Sequence, residues 1–121
     1  MNSIIKEKKI KFIEKKSKFL GFSFYVKNKE EICKKLKKIE NEFKDAKHII
    51  YAYRIEDNGL KEKFYNDKEP NNSAGKPLLY LLQKKNIINC LIVVIRYFGG
   101  KKLGIGGLIR AYTKAGKNVI K

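Results

Sequence analysis

The sequence predicts an α+β fold, a two-layer α/β sandwich with helices on one face of a mainly antiparallel sheet. Three observations predict it. Apolar residues alternate with period two across residues 20–26 and 49–55, the mark of half-buried strands. Apolar residues recur at spacings of four, three and four from Ile32 to Phe43, and again from Leu108 to Val119, the mark of helices with one greasy face. The resulting order of strands, helix, strands, helix, strand and helix fits that sandwich.

Leu20, Phe22, Phe24 and Val26 give the first clear strand, its even positions inward. Residues 4–13 are a weaker hairpin partner, with a turn expected at residues 15–18. Asn28 is placed as a helix N-cap, with Glu31 three residues on as its capping-box partner. The first helix follows, with Ile32, Leu36, Ile39 and Phe43 inside and Lys34, Lys35, Lys37 and Lys38 outside, ending near Asp45. Ile49, Tyr51, Tyr53 and Ile55 form the next strand. Asp57-Asn58-Gly59 is a hairpin turn, because Asn-Gly tolerates positive φ. Residues 60–65 return. Residues 66–73 are a polar loop, and residues 74–85 a second helix with Pro77 in its first turn. Residues 90–97 are apolar on both parities up to Arg96, as in a central strand covered on both faces. A glycine-rich loop leads into the last helix.

At 121 residues the chain has the size of one domain, taken as 1–121. Its 43% hydrophobic content excludes a disordered chain. The net charge of +17 points to polyanionic partners, nucleic acid above all. Of 29 basic residues only Arg54, Arg96 and Arg110 are arginines. Lysine-rich composition alone would give solvated surfaces, so the arginines are the more telling positions. Cys33 and Cys90 lack metal-type spacing and one histidine cannot complete a zinc set. Both read as buried thiols of a cytoplasmic protein, and no metal or cofactor is expected. The polar, lysine-rich start is no secretory signal, and the apolar run 91–95 is too short to span a membrane.

The densest signal is the stretch 96–110. Gly99, Gly100, Gly104, Gly106 and Gly107 follow a buried strand and precede a helix, where free amides and the helix dipole favour anions. Arg96, Lys101, Lys102 and Arg110 surround them. The spacing is neither a phosphate-binding Walker loop nor the dinucleotide fingerprint. A tight strand-to-helix connection that merely packs closely remains the competing reading. Asp67 and Glu69 are either an acid/base pair or, more in keeping with helix-end electrostatics, a capping cluster. Lys76 at the same helix entrance is placed to reach a phosphate or to pair with Glu69. His48 heads a strand without an accompanying nucleophile. Tyr51, Tyr53, Tyr97 and Phe98 read mostly as core. No catalytic set is recognisable, so no enzyme is expected.

The run Arg96-Tyr97-Phe98-Gly99-Gly100, then Leu103-Gly104 and Gly107-Leu108-Ile109-Arg110-Ala111-Tyr112, resembles the signature of the IMPACT/YigZ family. Ser17-Lys18-Phe19, His48, Tyr51-Ala52-Tyr53-Arg54, Asp67, Glu69-Pro70 and Ala74-Gly75-Lys76-Pro77 occur in that family's order. The resemblance implies a fold similar to the second domain of a small-subunit ribosomal protein. It adds Lys18, His48, Arg54, Asp67 and Glu69 as supporting residues. It also implies a translation-associated role: contact with RNA or the ribosome, or with a protein partner that regulates translation initiation. Relatives usually carry a C-terminal ferredoxin-like domain, expected to be absent here. The acidic loop departs from the family's Asp-Asp-Gly-Glu-Pro, reading Asn66-Asp67-Lys68-Glu69-Pro70, which disfavours a two-aspartate metal site.

Overall fold

A computed structural model describes residues 3–4 and 6–121. Met1, Asn2 and Ile5, which belong to the stretches read above as a non-secretory start and a first strand, lie outside the described residues. The order is β1 (Lys9–Glu14), β2 (Ser17–Tyr25), α1 (Lys29–Glu42), β3 (His48–Glu56), β4 (Leu60–Tyr65), α2 (Gly75–Lys84), β5 (Cys90–Tyr97) and α3 (Gly104–Ile120). The strands form one sheet in the order β1-β2-β5-β3-β4, with every neighbouring pair antiparallel.

The α+β class and the antiparallel sheet stand as expected. The distribution of helices differs. Ile92 and Val94 of β5 join Ile50, Ala52 and Phe19 in a core under α2 and α3. Leu91, Val93 and Ile95 join Phe22, Tyr53 and Ile55 in a second core against Ile32 and Ile39 of α1. Helices therefore cover both faces. The doubly apolar β5 requires this, since each parity needs its own apolar partner to leave water.

Local chemistry explains the boundaries. Lys15 and Lys16 both have positive φ (45° and 69°), so the β1–β2 hairpin closes through a two-residue mirror-image turn. This starts β2 at Ser17, earlier than the alternation at residue 20 suggests. Asn58 and Gly59 take φ of 56° and 112° in the β3–β4 turn. The Asn28 side chain accepts from the Glu31 amide at 2.9 Å, and the Glu31 carboxylate accepts from the Lys27 amide at 2.7 Å, so both ends of α1's cap are satisfied. Pro77 falls in the first turn of α2. Gly116 lets α2 and α3 close up, because a Cβ there would lie 2.7 Å from Leu81 and 2.9 Å from Leu78. Cys90 is buried, its thiol pushed up to about 12 chiefly by burial. Cys33, in contrast to the reading above, lies exposed on α1. Among the described residues no helix is long and apolar enough to cross a membrane.

Candidate functional site

A buried polar cluster forms where β3, β5 and the 66–70 loop meet α3. Arg96 Nε and one terminal nitrogen donate to the two oxygens of Glu69 at 2.7 and 2.8 Å, a bidentate pair. The other terminal nitrogen donates to Ser17 Oγ at 3.2 Å. The Tyr112 hydroxyl donates to Glu69 as well. Burial alone would raise the Glu69 carboxyl. The hydrogen bonds from Arg96 and Tyr112 together outweigh it and hold the carboxyl below its ordinary range. Burial, and next the Glu69 charge, push the Tyr112 hydroxyl up. His48 stands between the two loop acids, with Nε2 3.9 Å from Glu69 and Nδ1 3.7 Å from Asp67. Its buried Nδ1 has no hydrogen-bond partner among the described residues.

The loop that delivers Glu69 is folded by Asn66. Its Nδ2 donates to the Glu69 and Pro70 carbonyls, both at 2.8 Å. Its Oδ1 accepts from the Ala74 and Gly75 amides at 3.1 and 2.8 Å. Asn66 thus caps α2, which corrects the expectation that Asp67 and Glu69 form the capping cluster. Asp67 instead accepts from the Ile49 amide at 3.1 Å and pins the start of β3.

Above this cluster lies a depression of about 420 Å³. Lys47, Lys68, Lys102 and Phe98 ring it, and the start of α3 at Gly104 forms one side. That helix start is unusual in its charge. No side chain caps it, and its first turn holds no acid. The Arg110 guanidinium lies back along the first turn, 3.3 Å from where a Gly106 Cβ would be. Cations at a helix N-terminus are unfavourable, because they face the positive end of the dipole. By contrast α1 begins with an Asn cap and Glu30 and Glu31.

The structure divides the residues singled out in the sequence. His48, Glu69, Arg96, Lys102 and Gly104 line the depression. Gly107 and Arg110 line a smaller hollow beside it, against Glu14 and Lys15 of the β1–β2 hairpin. Lys76 is elsewhere, in a cleft between α2 and α3. Gly99 is pressed against the Lys16 carbonyl, and Gly100 takes φ +91° in open space. Lys101 is exposed.

Three assignments change. Arg96, 7% exposed and paired with Glu69, is a structural cation of the floor and not a phosphate contact. Lys18 lies on the α1 side of the sheet, its Nζ 4.8 Å from the centre of the Tyr97 ring. Arg54 is far down β3. It donates to Glu62 at 2.9 Å and to the Leu82 and Ile87 carbonyls at 3.3 and 3.1 Å, tying the end of α2 to the sheet. Arg54→Met is accordingly expected to lower stability by about 2–3 kcal/mol, as two buried carbonyls and a carboxylate lose their donor. A urea titration measures this, and RNA affinity is expected not to change.

Sequence reasoning missed Ser17 and Tyr112 as polar floor and Lys47 and Lys68 as rim. Tyr112 sits among apolar positions of the α3 stripe, so its hydroxyl gave no signal. Of the aromatics, Tyr53 is core as expected, whereas Phe98 is 46% exposed at the rim, 5.7 Å from the Arg96 guanidinium.

Residues 15–120 match the Impact N-terminal domain family. The chain is similar to the IMPACT family member YvyE of Bacillus subtilis, with 41% identity over 100 residues, 83% of this chain and 46% of that protein. Two solved structures share the fold. A hypothetical protein superposes with a TM-score of 0.89 at 28% identity, covering 97% of this chain and 58% of its own. The two-domain translational regulator Yih1 gives 0.57 at 22% identity, covering 99% of this chain and 48% of its own. The chain spans about half the length of such relatives.

Proposed function

The chain belongs to the IMPACT family, and from that premise we propose that it is a translation-associated binding module, not an enzyme, which seats RNA or ribosomal phosphates at the start of α3. The carrying observation is the electrostatics of that helix start: uncapped, free of acids, and crowded by Lys102 and Arg110. A phosphate there would accept from the free first-turn amides and neutralise cations that otherwise oppose the dipole. Lys47 and Lys68 extend the positive rim, and the exposed Phe98 ring offers a surface for an unstacked base. The net charge of +17 supports a polyanion. The description of Yih1 as a translational regulator supports the translation setting. Glu69 speaks against acid/base chemistry, since Arg96 and Tyr112 occupy its oxygens and hold it ionised.

The test is cosedimentation with ribosomes and fluorescence anisotropy with single-stranded RNA across a salt series. Affinity should fall steeply with salt, with a log–log slope of about 0.7 for each phosphate contacted. Lys101→Glu combined with Lys102→Glu should weaken binding about tenfold or more, alike for all sequences. Salt-insensitive binding, or a ribosome association that survives nuclease but not removal of one protein, would point instead to a protein-interaction module.

A further inference from the structure

We propose that the cleft between α2 and α3 is a second docking surface, which takes an acidic amphipathic helix of a protein partner. The proposal goes beyond the anion seat and shares no residue with it.

The cleft has a volume of about 460 Å³. Its two walls are helical ridges at spacings of four. Lys76, Tyr80 and Lys84 form the α2 ridge, while Ile109, Thr113 and Lys117 form the α3 ridge. Pro77 and Leu81 lie on the floor. Tyr80 is 59% exposed and Ile109 37%, an uncovered apolar strip flanked by three lysines. None of those lysines is in an ion pair among the described residues.

Charge decides what such a cleft accepts. The ten residues of α2 and the seventeen of α3 include no Asp or Glu. The fourteen residues of α1, on the other face, include Glu30, Glu31, Glu40 and Glu42 among their lysines. The groove between α1 and the β1–β2 hairpin, which Glu42 helps to line, is therefore of mixed charge. The α2–α3 cleft is lined by three lysines, by apolar groups and by the neutral polar side chains of Asn72 and Thr113, with no carboxylate. A partner must bring apolar side chains for the floor and carboxylates for the rim.

Shape narrows the partner to a helix. The α2 ridge from Lys76 to Lys84 runs about 12 Å at 1.5 Å per residue, two turns of a third helix laid alongside. Apolar anchors at i, i+3, i+4 and i+7 would enter the groove, and Glu or Asp beside them would meet Lys76, Lys84 and Lys117. RNA fits the floor less well. Tyr80 could stack a base, but Pro77, Leu81 and Ile109 beside it offer aliphatic surface that Leu or Met side chains would fill and base edges would not.

The probe is a labelled peptide of about 14 residues, held helical by a side-chain cross-link, with Leu at those four positions and Glu and Ala elsewhere, read by fluorescence anisotropy. A scrambled peptide of the same composition and a single-stranded oligouridylate are the controls. The patterned peptide is expected to bind at least about tenfold more tightly than the scrambled one, because only it presents an apolar stripe. Ile109→Glu and Tyr80→Glu, both at exposed positions and checked for folding by circular dichroism, should weaken it about tenfold or more while leaving oligouridylate affinity within about twofold. Lys84→Glu with Lys117→Glu should weaken it and flatten its salt dependence. Lys101→Glu with Lys102→Glu should leave the peptide unaffected, which separates this surface from the anion seat. Equal affinity for the scrambled peptide, no binding of the patterned one, or indifference to Ile109→Glu would overturn the proposal. Loss of oligouridylate affinity on the same substitutions would make RNA the occupant.

Discussion

Glu69→Gln is expected to lower stability at neutral pH by about 3–5 kcal/mol, because it leaves the buried Arg96 guanidinium without its anion. For a domain of this size that is a fall in melting temperature of more than about 10 °C. The effect has a pH signature that a packing defect lacks. The folded carboxyl titrates below its ordinary value. The pair's contribution is therefore fully present above the unfolded carboxylate range, near pH 4, and is lost as pH falls through the folded value. Wild type and variant should differ most at pH 7, and the gap should be narrower at pH 3.5 by up to about 1 kcal/mol. Urea titrations at both pH values read the difference directly. A constant gap would mean that Glu69 acts by shape and not by charge. Replacing both partners, Glu69→Gln with Arg96→Met, should cost less than the sum of the single changes, since no unpaired charge remains buried.

The same pair explains why the sequence was legible in one place and misleading in another. Strand and helix periodicities depend on which face meets apolar neighbours, and α1, β3 and β5 emerge where their patterns place them, whereas α3 begins at Gly104, inside the stretch 99–107 that reads as a loop. The apolar run of β5 already implied two covered faces, yet which face each helix takes depends on how the chain crosses the sheet, and periodicity is silent on that. In the sequence Arg96 adjoins glycines and lysines, which makes it look like a free cation. Its partner, Glu69, is 27 residues away, and Tyr112 is 43 residues from Glu69. Pairings over such separations are settled by the sheet register, which sets β3 beside β5 with His48 opposite Arg96. Lys76 reads from the sequence as a phosphate contact or a partner of Glu69 at the entrance of α2, but it lies in the cleft between α2 and α3 instead. The charge character of the α3 start, by contrast, is a local property of consecutive residues and needs no distant partner to be read.

Gly99→Ala is expected to be the most damaging single-methyl change in the loop. A Cβ at Gly99 would lie 1.9 Å from the Lys16 carbonyl oxygen and 2.3 Å from its carbon, both backbone atoms of the tight β1–β2 turn. Lys15 and Lys16 already occupy positive φ, so that turn cannot rotate its carbonyl away without leaving the two-residue hairpin geometry. The 98–103 segment must move instead, and with it Phe98 and Lys102 at the rim of the depression. The expected cost is about 2–3 kcal/mol, the upper part of the range for an overpacked site. Gly100 supplies the control. A Cβ there meets nothing within 4 Å, and the penalty comes only from its φ of +91°. Gly100→Ala should therefore cost about 1–2 kcal/mol and shift the rim little. If loop position governs anion binding, Gly99→Ala should weaken RNA at temperatures well below its melting point, whereas Gly100→Ala at matched fraction folded should not. Equal RNA affinity for the two variants would separate the loop from the site, and would leave the start of α3 and its lysines to bind without help from the glycine contact.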